Sequence, residues 1–253
     1  MSVLSLVISF GFALAGIGAQ VAAAPTIEFL LGYTPLRTKG TAIAFALFAA
    51  IGAVIGFIVG GVAIDFGMAL TLAVGATIGT ILTVKLGTEP KFAIVRRTGQ
   101  SIGIAVAVYV FGEAMRHRIG GPMPILPALQ HLNPLLLGIG IGAVTGAVSN
   151  IFQIANGILV VPALVYLAGM DAPRSVVTSL AVIAFAGFLP ALSYSARGTV
   201  DKTMGTWMSS AGLAGGFGAG MLLSHVSNTS PLPLIAFALV SMFLCAWRIW
   251  KMT

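Results

Sequence analysis

Two stretches decide how this chain is read. One is Gly16-Ile17-Gly18-Ala19-Gln20-Val21-Ala22-Ala23-Ala24-Pro25, and the other is Gln153-Ile154-Ala155-Asn156-Gly157-Ile158-Leu159-Val160-Val161-Pro162. Each is a cluster of small or amide residues, then four apolar residues, then a proline. Each interrupts an apolar run, 2–33 or 134–169, that is longer than the roughly 20 residues of a single bilayer crossing. An interruption at membrane depth is tolerated only where it faces protein or a water-filled cavity.

That these runs lie in a bilayer follows from composition. Of 253 residues, 58% are apolar and 8% are charged, and mean hydropathy is +1.06. A soluble domain carries about 25% charged residues, and 13 basic plus 6 acidic side chains cannot cover a globule of this size with a polar skin. Further apolar runs fall at 40–63, 66–84, 98–115, 175–195, 203–224 and 232–250. Backbone groups in lipid must be satisfied within each segment, so the runs are read as helices. The short alternating strands of a membrane barrel are not seen. The expected fold is therefore all-α and polytopic. The net charge of +7 reads as Lys and Arg in short loops setting topology, with membrane lipid as the surroundings and no nucleic acid as partner. Cys245 stands alone in the last run, giving no disulfide framework. His117, His131 and His225 are scattered without metal-ligand spacing, so no metal or cofactor is expected. Residues Val3 to Ala24 resemble a signal peptide, but no basic residue precedes Arg37, and the segment has a twin within the chain, so it is read as retained.

The twin appears at an offset of 137. Ile17 pairs with Ile154, Pro25 with Pro162, Gly32 with Gly169, Arg37 with Arg174, Thr41 with Thr178, Gly61 with Gly198, Gly75 with Gly212 and Gly79 with Gly216. The chain thus divides into a first repeat (1–115), a linker (116–133, with Pro122, Pro124 and Pro127) and a second repeat (134–253). Each repeat is a long broken element followed by three helices. If each long run crosses once, Lys and Arg divide seven to six between the two sides; if each returns to its own side, they divide ten to three. The second division obeys the positive-inside rule and inverts the halves. A re-entrant hairpin and a double crossing share that parity, and charge does not separate them. Weak internal symmetry with a broken segment in corresponding positions points to a secondary transporter.

The two breaks resemble those of the TauE/SafE sulfite-exporter family, in its broader sense the toluene-sulfonate uptake permease family. Its members carry a Gly-Ile-Gly-Gly-Gly-type stretch, four residues and a proline in each half. A Gly, an Arg or Lys, and a Thr-Ser pair follow. Thr178-Ser179 matches that pair and Thr41-Ala42 half matches it; Arg197-Gly198-Thr199-Val200-Asp201 resembles the family's post-helix turn. The resemblance spans nearly the whole chain. It implies transport of sulfite, sulfonates or related small organic or sulfur-containing anions, by export or import, in the bacterial cytoplasmic (inner) membrane. The chain departs from the pattern where Gly18-Ala19-Gln20 and Ala155-Asn156-Gly157 replace the glycine triplets, and amides at that point suggest a specific polar ligand.

A helix restarting inside the membrane offers free N–H groups and a positive dipole end to an anion. Two such breaks, converging near the midplane, would form one composite site. Gln20, Gln153 and Asn156 either donate to a sulfonate or carboxylate oxygen or satisfy the broken backbone. Thr41, Thr178 and Ser179 either donate to the substrate or bond their own helices. Arg37 and Arg174 either clamp an oxyanion or anchor at the interface. Lys39 is similar but less telling, since its counterpart is Val176. Glu28, a carboxylate in an apolar stretch, either couples transport to protons or caps the helix after the break. Asp65, Glu89, Asp171 and Asp201 read as loop residues. Gly212, Gly216 and Gly220 have the spacing of a close helix crossing. The expected activity is secondary transport of a small anion by alternating access, the alternative being a passive anion channel. No nucleophile stands beside a base, so an enzyme is not expected. A homo-oligomer is compatible with all of this.

Overall fold

The computed structural model describes residues 2–88, 93–117, 133–152, 155–226 and 232–251, and everything regular among them is helix. In the first half the helices are α1 Ser2–Leu14, α2 Gln20–Leu31, α3 Pro35–Val59, α4 Phe66–Thr88 and α5 Ala93–His117. In the second they are α6 Pro134–Phe152, α7 Asn156–Tyr166, α8 Ala172–Ala196, α9 Lys202–Ser224 and α10 Leu232–Lys251. Most of the expected linker lies outside the described residues. The protein is a polytopic α-helical membrane protein.

Both long runs are broken where small and amide residues cluster. The first stops at Leu14 and restarts at Gln20; the second stops at Phe152 and restarts at Asn156. Pro25 and Pro162 sit inside the restarted helices, past the first turn, so each leaves the carbonyl four residues before it, of Val21 or Ile158, without its helical donor. The two runs differ in proportion. Helices α3, α4, α6 and α8 are long and apolar enough to cross a membrane. By contrast α1, α2 and α7 have 13, 12 and 11 residues, about half a bilayer at 1.5 Å per residue. The first run is thus two half-length helices, the second a full-length helix and a half-length one. The cause is the position of the small-residue cluster. It begins at Ala15 in the first run, while 19 residues run uninterrupted from Pro134 in the second.

Large apolar side chains such as Phe29, Leu82, Val144 and Phe243 face outward, as lipid allows, and the interior is rich in small residues. Helix α4 packs on α6, and α9 on α1; α3 packs on α9, and α8 on α4; α5 packs on α10. Close approach is made by glycine. A Cβ at Gly79 would lie 2.1 Å from the Ala143 carbonyl oxygen, and one at Gly216 would lie 2.1 Å from that of Ala49. Gly220 likewise faces the carbonyl of Ala53, whereas Gly212 meets the ring of Phe45. These crossings bring backbone against backbone, the arrangement that replaces hydrophobic driving force in lipid. The α1 segment is part of this packing, because a Cβ at Gly215 of α9 would lie 2.5 Å from the Leu6 carbonyl. Glycines matched at the offset of 137 also share a backbone conformation. Gly32 and Gly169 have φ of 60° and 68°, and Gly61 and Gly198 have 80° and 65°. Such angles suit glycine, which has no Cβ to clash.

Candidate functional site

The two breaks meet. Gly16, with φ of 67°, turns the chain out of α1, and its N–H donates to the Ala13 carbonyl at 3.1 Å. Gly157, in the first turn of α7, packs onto this turn so closely that a Cβ would lie 2.5 Å from the Gly16 carbonyl oxygen and 2.9 Å from Ile17 Cα. Ser179 Oγ on α8 donates to the same carbonyl at 2.9 Å. Backbone freed by the break in one half is therefore satisfied by the other half, as a buried carbonyl requires.

Beside this crossing lies a cavity of about 560 Å³, a volume typical of small-molecule sites. The first residues of both restarted helices, Gln20 of α2 and Asn156 of α7, line it. Asn156 Oδ1 is buried without a hydrogen-bond partner. The rest of the wall joins polar groups of α4 and α6 (Thr77, Thr80, Ser149, Asn150) and Lys39 of α3 to an apolar surface that includes Ile43, Phe185 and Leu189. Gln153 lies outside the described residues.

The remaining expected site residues stand elsewhere. Thr41 is buried and its Oγ1 accepts from the Asp201 N–H at 3.1 Å. Thr178 is buried, with an unpartnered Oγ1, but does not line the cavity. Ser179 holds the break from behind. Arg37 forms an ion pair with Asp201 and stacks over the Tyr33 ring, 4.6 Å from its centroid. Arg174 pairs with Asp171 at 3.3 Å and lines a second, separate pocket with Asp65. Glu28 is exposed on the last turns of α2, outside both pockets.

Asp201, read from sequence as a loop residue, is the centre of a cluster tying the α2–α3 turn to the α8–α9 turn. Tyr33 Oη donates to its Oδ2 at 2.8 Å, and its Oδ1 accepts from the Met204 N–H at 2.8 Å, capping α9. The Met204 amide, then Tyr33 and Arg37, hold its carboxyl below the ordinary value of 3.8. Desolvation, and then the bond to Asp201, push the Tyr33 hydroxyl up from 10.0. Sequence reading also passed over Thr77, Thr80 and Asn150. Their signal was present, as polar residues within apolar runs, but nothing in one dimension says which face of α4 or α6 they occupy.

A polytopic helical protein with two broken helices meeting beside a polar-lined cavity belongs, by architecture, among membrane transport proteins. The model of the family described as "Sulfite exporter TauE/SafE" matches residues 100–249, more than half of the chain. The chain belongs to the sulfite exporter TauE/SafE family. It is also similar to two proteins of Xylella fastidiosa named "Probable membrane transporter protein". The one from strain 9a5c is 26% identical over 175 residues, and the one from strain Temecula1 / ATCC 700964 is 23% identical over 175 residues. Each match covers 63% of this chain and 67% of the relative.

Proposed function

We propose that this protein is a secondary transporter that moves a small sulfur-containing or organic anion across the membrane by alternating access, in the bacterial cytoplasmic membrane. The observation that carries the reading is the shared cavity, to which each half contributes the first residue of its restarted helix. Gln20 and Asn156 begin α2 and α7, where the positive end of the helix dipole favours an anion, although the first-turn N–H groups of Val21, Ala22, Ala23 and Ile158 already donate to backbone carbonyls. The reciprocal packing of α4 on α6 and α9 on α1 supports treating the two halves as related units that rock around the site. Membership of a family described as sulfite exporters supports sulfite or a chemically similar anion as cargo. Proton coupling through Glu28 is the part of the reading that geometry supports least, because that carboxylate is exposed and outside the cavity.

A passive channel could use the same half-helices, and counterflow separates the two. Liposomes containing the purified protein and loaded with unlabelled sulfite should accumulate external labelled sulfite transiently above equilibrium. A channel gives no such overshoot. Flux without an overshoot, and without saturation, would overturn the transporter reading.

A further inference from the structure

We infer that α8 and α4 form a seam that closes over the cavity, and that in the closed form Arg174 exchanges Asp171 for Asp65 while Thr178 accepts a backbone N–H of the turn before α4. This rests on the transport reading above and names what moves in it. A finished seam of this kind stands in the other half. Helices α3 and α8 have the same bounds at the offset of 137, and α4 and α9 agree to within one residue, so α3 on α9 is the pair matched to α8 on α4. Where α3 starts, Arg37 pairs with Asp201, and Thr41 Oγ1 accepts the Asp201 N–H at 3.1 Å. Where α8 starts, the matched groups stand unjoined. Thr178 is fully buried with no partner for its Oγ1, and the N–H groups of Ile64 and Asp65 have none among the described residues. Arg174 is turned to Asp171, the cap of its own helix. Asp65 caps α4 through Oδ1 as Asp201 caps α9, and it lines a pocket of about 570 Å³ together with Arg174.

The cavity and the second pocket are the open parts of this seam. Helix α3 lies on α9 so closely that a Cβ at Gly52 would meet the Leu213 carbonyl. The residues matched to Gly52 and Leu213 are Leu189 and Ala76, and both line the cavity. Between the two spaces α8 already touches α4. Phe185, from the cavity wall, meets Phe66, from the pocket wall, edge to face with ring centroids 6.5 Å apart. Closing the seam outward from that contact draws Leu189 toward Ala76 and narrows the space in which Gln20 and Asn156 stand. Opposing effects leave both forms within reach. A bond to Thr178 satisfies a buried hydroxyl, whereas Leu189, standing where the finished seam has a glycine, holds the two backbones apart. Exchange of Asp171 for Asp65 is nearly neutral, since Arg174 is half exposed and ion pairs in water contribute little. Packed elements with two discrete arrangements of this kind are what carry conformational transitions.

The test uses the full-length protein in liposomes. Nitroxide labels on Ala63→Cys and Met170→Cys report the distance between the two turns that wall the second pocket, and Cys245, being buried, escapes the label. The parent should show two distance populations whose ratio changes with sulfite. Thr178→Val should remove the shorter one and slow sulfite counterflow, measured on unlabelled protein, by about 2- to 12-fold, the range for one net hydrogen bond. Its melting temperature should not fall, because the hydroxyl has no partner to lose, whereas Thr41→Val, which breaks a bond already made, should melt earlier. Asp65→Asn keeps the α4 cap without the charge and should slow counterflow by about 1.5- to 5-fold. A single distance in the parent, with and without sulfite, overturns the seam. So does counterflow at the parental rate in Thr178→Val with both distances kept. Either result, with counterflow intact in the parent, leaves the transport reading standing. Absence of counterflow from the parent overturns that reading instead, and the distances then decide the seam by themselves.

Discussion

Ser179 Oγ, on α8 of the second half, donates a 2.9 Å hydrogen bond to the carbonyl of Gly16, the residue at which the first half breaks its long helix. Both groups are buried. A break at membrane depth frees backbone acceptors that neither lipid nor the interrupted helix can satisfy, and here the satisfaction comes from the other half of the chain. The hydroxyl that sequence reading offered as a substrate donor is spent on the scaffold. Gly157 completes the contact from α7, packed against the same carbonyl.

Removing this support should cost stability. Ser179→Ala leaves a buried carbonyl without its donor, a loss of about 1–3 kcal/mol. Gly157→Ala places a methyl where only 2.5 Å separates it from the Gly16 oxygen, and overpacking of that kind costs about 1–3 kcal/mol or more. Both variants should melt earlier in detergent than the parent protein. A Ser179→Ala variant with an unchanged melting temperature would show that the bond contributes nothing.

Gln20 and Asn156 should behave differently, because they face the cavity. Gln20→Ala or Asn156→Ala is expected to weaken sulfite or propanesulfonate binding by about 10- to 150-fold, if each amide makes one hydrogen bond to the anion. Ligand-free melting should barely move. The reverse pattern, lost stability with unchanged affinity, would make these amides supports for the breaks and move the search for the anion's partners to the other polar groups lining the cavity, such as Thr77 and Thr80.

Asp201 gives a pH-dependent contribution whose sign is fixed. Its folded pKa is lowered from 3.8, chiefly by the Met204 amide and then by Tyr33 and Arg37. The stability it adds is therefore complete above that ordinary value and is lost as pH falls through the lower folded value. Near neutral pH, Asp201→Ala should destabilise by about 1 kcal/mol through loss of the α9 cap, and Asp201→Asn by less, since asparagine also caps. Melting curves of the Asp201→Asn variant and the parent should converge as pH drops below 3.8. A gap that persists undiminished in acid would show that the carboxylate charge is not what matters.

Glu28→Gln tests coupling apart from binding. Sulfite exchange across liposomes at equal pH should be intact, because Glu28 is exposed and stands outside the cavity. Loss of stimulation by a pH gradient, with exchange preserved, assigns proton coupling to this carboxylate. Stimulation equal to that of the parent removes Glu28 from the mechanism.

Much of this could be read along the chain. Composition and run lengths determine a helical membrane protein, because lipid admits no unsatisfied backbone. The clusters around Gly16 and Asn156 mark where the two long runs stop: Gly16 takes a left-handed φ of 67° that glycine adopts without strain, and α7 restarts at Asn156. The offset of 137 pairs Gly32 with Gly169 and Gly61 with Gly198, and all four take left-handed turns, which a residue without a Cβ adopts without strain. The spacing of Gly216 and Gly220 likewise announces a close crossing. Tertiary structure alone decided how these pieces meet. That Ser179 faces the Gly16 carbonyl, that Arg37 is committed to Asp201, and that Lys39 rather than either matched arginine enters the cavity all depend on the rotation of α3 and α8 about their axes. In helices with apolar residues on nearly every face, as lipid permits, no periodicity records that rotation. It is set by which glycines let which backbones touch, and this becomes visible only when the helices are packed.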